Sequence, residues 1–195
     1  MSVPLKPPML STMKSMNYLL NQLAKIEVEE AGATLGVWVE NGEIQEETTG
    51  GLAIVSADNE LVTPPMGRIL SSRTILRALE LARLLVGTGL LSGIVVRPIT
   101  VEEARLAPEM MTMSASFLQS IVEWDGKPIA DGKPGRVAKA LEELLWLDMS
   151  GHAQELLDKC DVTVDPSVAK NAELAVQAQL AGSQHVTDIP LVSKL

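Results

Sequence analysis

The chain has 195 residues, 46% of them hydrophobic and 21% charged, a globular composition rather than a disordered one. Sixteen Lys and Arg against twenty-five Asp and Glu leave a formal net charge of -9, so the basic face that a nucleic-acid partner needs is not there to be built. One cysteine, Cys160, excludes a disulfide framework, and His152 and His185 alone cannot build a zinc site, so no metal is expected. The stretch Met1 to Met13 has one lysine, three prolines and no continuous apolar run, unlike a signal or transit peptide. The apolar-rich run from Leu79 to Leu91 is broken by Glu80, Arg83 and two glycines, so no membrane span is expected. A cytoplasmic location fits, or an organellar matrix.

Residues 1–12 read as an irregular lead with Pro4, Pro7 and Pro8. From Lys14 to Glu30, Met16, Leu19, Leu20, Leu23, Ala24 and Ile26 recur near helical spacing, which predicts an amphipathic helix ended by Ala31-Gly32. Leu35 to Glu40 is a strand pattern, Asn41-Gly42 a strong hairpin signal, and Glu43 to Glu46 the returning strand. Leu52 to Val55 and Glu60 to Thr63 form a second pair about Asp58-Asn59, stopped by Pro64-Pro65. Turn spacing alone therefore gives a meander of short antiparallel strands.

Ser71 or Ser72 can cap a second helix running to Leu85, with Ile75, Leu76, Leu79, Ala82 and Leu85 as its apolar stripe. Ile94 to Ile99 reads as a strand. Thr100 caps a short acidic turn, with Glu103 at the capping-box position. Met110 to Met113 and Ile121 to Trp124 read as two further strands, and Asp125-Gly126 as a turn before Lys127-Pro128-Ile129. After the tight loop Asp131 to Gly135 a third helix, Val137 to Leu147, turns Val137, Leu141, Leu144 and Leu145 inward. Residues 151–165 and 168–180 carry weaker helical stretches, and the last fifteen residues are turn-like.

Four strings in this order carry a resemblance. KSMNYLLNQLAKIEVEEAGA resembles the segment that bears the cofactor lysine in fold type IV pyridoxal-phosphate enzymes. NGEIQEETTGGLAIV resembles the segment with that family's essential glutamate. LVTPP followed by ILSSRTILRALELAR resembles its phosphate-binding turn and helix, and DGKPIADGKPGRVAKAL its closing motif. The likeness covers about residues 12–148 and is to the class IV aminotransferases: the D-amino-acid and branched-chain enzymes and aminodeoxychorismate lyase.

The resemblance implies an α/β (α+β) fold: an antiparallel-rich sheet or small barrel with surrounding helices. It divides the chain into a lead (1–12), a cofactor-binding domain (13–150) and a tail of uncertain structure (151–195). It implies pyridoxal 5'-phosphate as cofactor and an amino acid with a 2-oxo acid as substrates. Lys14 becomes the catalytic lysine, an amine that must be shielded from water to serve as nucleophile and base. Read without the likeness, it is a solvated lysine at a helix start. Glu46 becomes the carboxylate that keeps the ring nitrogen protonated, with Glu47 as the competing choice. Adjacent strand residues point to opposite faces, so only one of the two should reach the ring.

The phosphate falls to Ser72, Arg73 and Thr74 at a helix N-terminus, where free amides and the helix dipole favour an anion. Ser114 or Ser116, flanking Ala115, would add a hydroxyl; their other reading is the cap of a short helix. The sequence departs from the family at Ser72, where a glycine is usual, at Arg73, where an apolar residue is usual, and at Gly51, where an asparagine is common. Family members also carry an α/β domain ahead of the lysine, which lines the substrate side of the pocket. The implied function is transamination of D- or branched-chain amino acids, by a chain expected to be truncated. The alternatives are a lyase acting on aminodeoxychorismate, or a non-catalytic remnant. A homodimer, or pairing with a full-length homologue, is the expected assembly.

Overall fold

A computed structural model describes residues 5–67, 69–115, 117–168 and 170. A single helical turn, α1 (Pro8–Ser11), lies within the lead. The first long helix, α2 (Leu19–Glu30), begins five residues after Lys14 rather than at it. Local polar bonds explain the delay: Ser15 Oγ donates to the Asn17 carbonyl, and Asn17 Oδ1 accepts from the Leu19 amide, so short side chains compete for backbone a helix would use. Lys14 therefore sits in irregular chain. The C-terminus of α2 follows the sequence reading. Gly32 takes φ 76°, and the amides of Gly32 and Ala33 close onto the carbonyls of Glu29 and Val28.

The hairpin β1 (Val37–Glu40) to β2 (Glu43–Glu47) turns on Asn41 (φ 53°) and Gly42 (φ 81°), the left-handed pair that a two-residue turn requires. The next pair, β3 (Gly51–Val55) and β4 (Glu60–Thr63), is antiparallel as well. Helix α3 (Arg73–Gly87) then carries the chain to β5 (Gly93–Val96), which pairs parallel with β4, the parallel exception in an otherwise antiparallel sheet. Ser72 settles the choice of cap, its Oγ accepting from the Ile75 amide at 3.3 Å. β5 stops three residues short of Ile99, because Pro98 has no amide for a ladder.

Short helix α4 (Val101–Leu106) has the Thr100 cap but not the full capping box. The Glu103 carboxylate is drawn instead to Arg97, at 2.5 and 2.9 Å. Strands β6 (Glu109–Ser114) and β7 (Phe117–Ile121) form a hairpin, and β8 (Glu123–Trp124) pairs with β9 (Lys127–Pro128). The run Ile121 to Trp124 is thus not one strand. Val122 leaves the ladder and its carbonyl accepts from the Ile129 amide at 2.9 Å. Ser114 pairs with Phe117 across a tight turn, so it caps no helix. Helices α5 (Arg136–Met149) and α6 (Gln154–Asp158) follow. The stretches read over 171–180 and in the last fifteen residues lie outside the described residues.

Among the described residues, β1 to β7 form one sheet in which β3 is the hub. One edge of β3 pairs with β6 from Gly51 to Val55; the other is shared, Gly51 meeting Glu46 of β2 while Ile54 and Val55 meet β4. Past β5 the chain swings back to β2, with the Ile44 amide on the Ile99 carbonyl and the Val101 amide on the Gly42 carbonyl. This closes a small ring of strands. Alternation along the strands then divides the core. Ile44, Leu52, Ile54, Val62 and Ile99 fill one side; Ala53, Val55, Leu61, Met111 and Met113 pack on α3 and α5 on the other.

The two outer helices are clamped by Arg77 of α3, whose guanidinium grips both oxygens of Asp148 in α5 at 2.8 and 2.6 Å. The hydrogen bonds from Arg77 hold the Asp148 carboxyl below its ordinary range, against the opposing pull of burial. A carboxyl lowered in the folded state stabilises above its unfolded value, about pH 4, and that stability is lost as pH falls through the lower folded value. Arg77→Met is therefore expected to lower the melting temperature at neutral pH, at a cost of about 1 kcal/mol. The gap should close in strong acid. A gap that persists unchanged at the lowest pH would show that the arginine acts through its packing alone.

Candidate active site

The cleft containing the predicted residues has a volume of about 500 Å³. Three segments build it: the irregular chain before α2, the end of β2 with the bend that follows, and the N-terminus of α3 with the β6–β7 turn. Lys14, Glu46, Ser72, Arg73, Thr74 and Ser114 all lie on its wall. Ser116 lies outside the described residues. The structure leaves Lys14 exposed, not shielded. Its Nζ sits 5.2 Å from the centre of the Tyr18 ring, and it makes no hydrogen bond or ion pair with another described residue.

Both glutamates line the cleft, contrary to the strict alternation expected of a strand, because β2 ends at Glu47 and the chain bends there. Their surroundings separate them. Glu46 is 7% exposed; its Oε2 accepts from the Leu70 amide at 3.1 Å and its Oε1 from the Lys6 ammonium. Glu47 is 2% exposed and turned into hydroxyls: Thr48 and Thr49 donate to it at 3.0 and 2.9 Å, and Thr112 at 3.3 Å. Glu46 holds a cation and Glu47 does not. Sequence reasoning missed Lys6, whose only signal was being the lone charge in a proline-rich lead.

At the α3 end, the Arg73 and Thr74 amides have no acceptor within the helix, as at any first turn. Arg73 is exposed and makes no hydrogen bond or ion pair with another described residue. The two hydroxyls are engaged internally: Ser72 Oγ is the cap, and Thr74 Oγ1 donates to the Ala115 carbonyl. Ala115 takes φ 48°, a left-handed conformation that costs an L-residue roughly 1–2 kcal/mol. The strain sits in the turn that presents its carbonyl to Thr74.

Gly51 has a steric reason. A Cβ there would lie 2.1 Å from Cδ1 of Ile75, a fully buried side chain in the first turn of α3. The helix start occupies the space that a side chain at 51 would need. Gly51→Asn is expected to destabilise the chain by about 1–3 kcal/mol through overpacking. Urea unfolding measures this, and an unchanged midpoint would mean that Ile75 yields freely.

The comparisons with known proteins bear on this arrangement. The sequence model for amino-transferase class IV matches residues 3–124. The chain belongs to the class IV aminotransferase family. It is 41% identical over 151 residues to the chloroplastic D-amino-acid transaminase of Arabidopsis thaliana, covering 76% of this chain and 40% of that protein. The fold is that of the branched-chain aminotransferase of the thermophilic archaeon Thermoproteus uzoniensis solved with norvaline, at TM-score 0.68 and 21% identity over 81% of this chain and 52% of that one. The PLP form of the Thermobaculum terrenum branched-chain enzyme superposes at TM-score 0.67 and 24% identity, covering 78% and 48%. The chain thus spans about half the length of these relatives or less. Its mixed fold of antiparallel-rich sheet and surrounding helices is the family's. No helix among the described residues is long and apolar enough to cross a membrane.

Proposed function

We propose that this chain is the cofactor-binding half of a pyridoxal-phosphate-dependent class IV aminotransferase. One observation carries the reading. A lysine amine with no carboxylate on it, Lys14, and a buried carboxylate already holding a cationic N–H donor, Glu46, line a single cleft. The donor set fits the cofactor: Glu46 accepts the type of donor that a protonated ring nitrogen presents, and Arg73 with the first amides of α3 suits a phosphate. When bound, pyridoxal phosphate supplies a carbonyl carbon for an amine to attach to and a ring that draws electron density from the substrate.

The residues divide that work. Lys14 Nζ is the attachment point and the base for the proton on the substrate's α-carbon. Glu46, pinned by the Leu70 amide, keeps a proton on the ring nitrogen. Ser72, Arg73, Thr74 and Ser114 on the cleft wall would hold the phosphate, and Ser116 joins them on the sequence resemblance alone. The amino donor is a D- or branched-chain amino acid, the classes named for the relatives, and the acceptor a 2-oxo acid. Met16, Leu19, Leu23 and Ile26 leave an exposed apolar stripe along and ahead of α2, which supports a homodimer or pairing with a longer homologue.

A second reading, a remnant that holds the cofactor weakly, is favoured by the engaged hydroxyls of Ser72 and Thr74. Borohydride reduction after incubation with pyridoxal phosphate, followed by peptide mapping, decides between the two. A pyridoxyl group on the Lys14 peptide is expected. An adduct on another lysine with Lys14 clean overturns the assignment, and no adduct at all leaves the remnant.

A further inference from the structure

We propose that Lys6 is a built-in competitor for the ring-nitrogen seat on Glu46, and so sets the affinity of the cleft for its cofactor. This inference rests on the functional reading above. Glu46 offers two oxygens, and the structure accounts for both. Oε2 accepts from the backbone N–H of Leu70, in the chain between β4 and α3. Oε1 accepts from a side chain, the Lys6 ammonium, which reaches in from irregular chain. A carboxylate oxygen can accept more than one donor, but a protonated ring nitrogen approaching Oε1 brings its positive charge onto an ammonium already there.

The contact is built rather than incidental. The Lys6 and Glu46 side chains are 14% and 9% exposed, so the pair is well shielded from water and from salt. The Lys6 ammonium also lies 4.7 Å from the centre of the Trp38 ring, on a tryptophan that is 3% exposed. A cation over a buried indole is held by the ring's negative face as well as by the carboxylate.

Lys6 stands at a boundary. On one side is the main cleft; on the other is a recess of about 130 Å³ bordered by Leu5, Trp38, Glu40 and Gln45. Lys6 and Glu46 belong to the walls of both. An ammonium displaced from Glu46 thus has a recess beside it that keeps the Trp38 face and borders a second carboxylate, Glu40. Exchange of one cationic N–H donor for another leaves Glu46 paired throughout, which matters because a buried carboxylate without a partner is strongly disfavoured.

The linkage follows. A ligand that binds only after Lys6 leaves has an apparent dissociation constant equal to the intrinsic one divided by the fraction of chains in which Lys6 has left. Removing the ammonium lifts that penalty and leaves Glu46 wanting a donor. Lys6→Met keeps an apolar stem against Trp38 and deletes the charge. The test titrates the wild type and Lys6→Met with pyridoxal phosphate and with its 1-deaza analogue, in which a ring C–H replaces the nitrogen. Tryptophan quenching follows binding.

Pyridoxal phosphate is expected to bind Lys6→Met about tenfold more tightly than the wild type, with no gain for the analogue. Equal or weaker binding of pyridoxal phosphate overturns the inference while leaving the functional reading in place. A similar gain for both ligands also overturns it, since that would be simple opening of space. Binding of neither ligand to either protein overturns the functional reading and this inference together. Should Lys6→Met fail to fold, Lys6→Arg, which keeps the charge and can seat two donors on Glu46, carries the opposite expectation of weaker binding. Unchanged binding in that variant counts against Lys6.

Discussion

Lys14→Ala is expected to abolish covalent capture of pyridoxal phosphate while leaving the fold intact. The two halves of this prediction have separate grounds. Capture needs a primary amine at the cleft with no competing partner, and Lys14 lines the cleft with only a distant ring contact to Tyr18. The other lysine on the cleft wall among the described residues, Lys6, lies against Glu46 and the Trp38 ring, beside the recess into which it can be displaced. Stability should hardly change, because an exposed side chain without hydrogen bonds contributes within about 0.5 kcal/mol. The measurements are visible absorbance on adding pyridoxal phosphate, beside a thermal melt. Undiminished absorbance in the variant would move the site to another lysine. A collapsed melt would show that Lys14 holds structure instead.

The second large effect is on turnover. The purified 195-residue chain is expected to transaminate D-alanine or a branched-chain amino acid with 2-oxoglutarate at near background rate, even with cofactor bound. Lys14, Asn17, Thr49 and Arg73 on the cleft wall are exposed, so water reaches the reacting centre. Water weakens each electrostatic contact there, and among the described residues the wall offers one unpaired arginine, Arg73, which the phosphate would take. Orientation of the substrate is then largely lost, and orientation alone can contribute several powers of ten in rate. Steady-state assays beside Lys14→Ala measure this. A Lys14-dependent rate of order one per second, within the ordinary range for enzymes, would show that this chain's own residues position the substrate.

Local signals read well wherever a short string dictates backbone geometry. Asn41-Gly42, Asp58-Asn59 and Asp125-Gly126 each carry positive φ in the turn, and the strands around the first two lie within a residue or two of their reading. Ser72 and Thr100 cap the helices expected of them. Reading failed where a distant group won. Glu103 matched a capping box by spacing, but Arg97 took its carboxylate. Helix α5 starts at a glycine cap with no side chain to offer, and the carboxylate that satisfies its Val137 and Ala138 amides comes from Glu109 on β6.

The sequence by itself determined the family, through four strings in order, and with it the residues to be sought in one cleft. Such strings are legible because turn, cap and apolar periodicity act over a few residues. Only the tertiary structure decided between Glu46 and Glu47 as holder of a cation, since that depends on the Leu70 amide and Lys6 on one side and Thr112 on the other. It alone brought Lys6 to the site, across forty residues of chain. It also explained Gly51 by the Ile75 side chain that fills its place. In each case the deciding partner is far away in sequence, and a buried group's partners are set by packing, which no local pattern records.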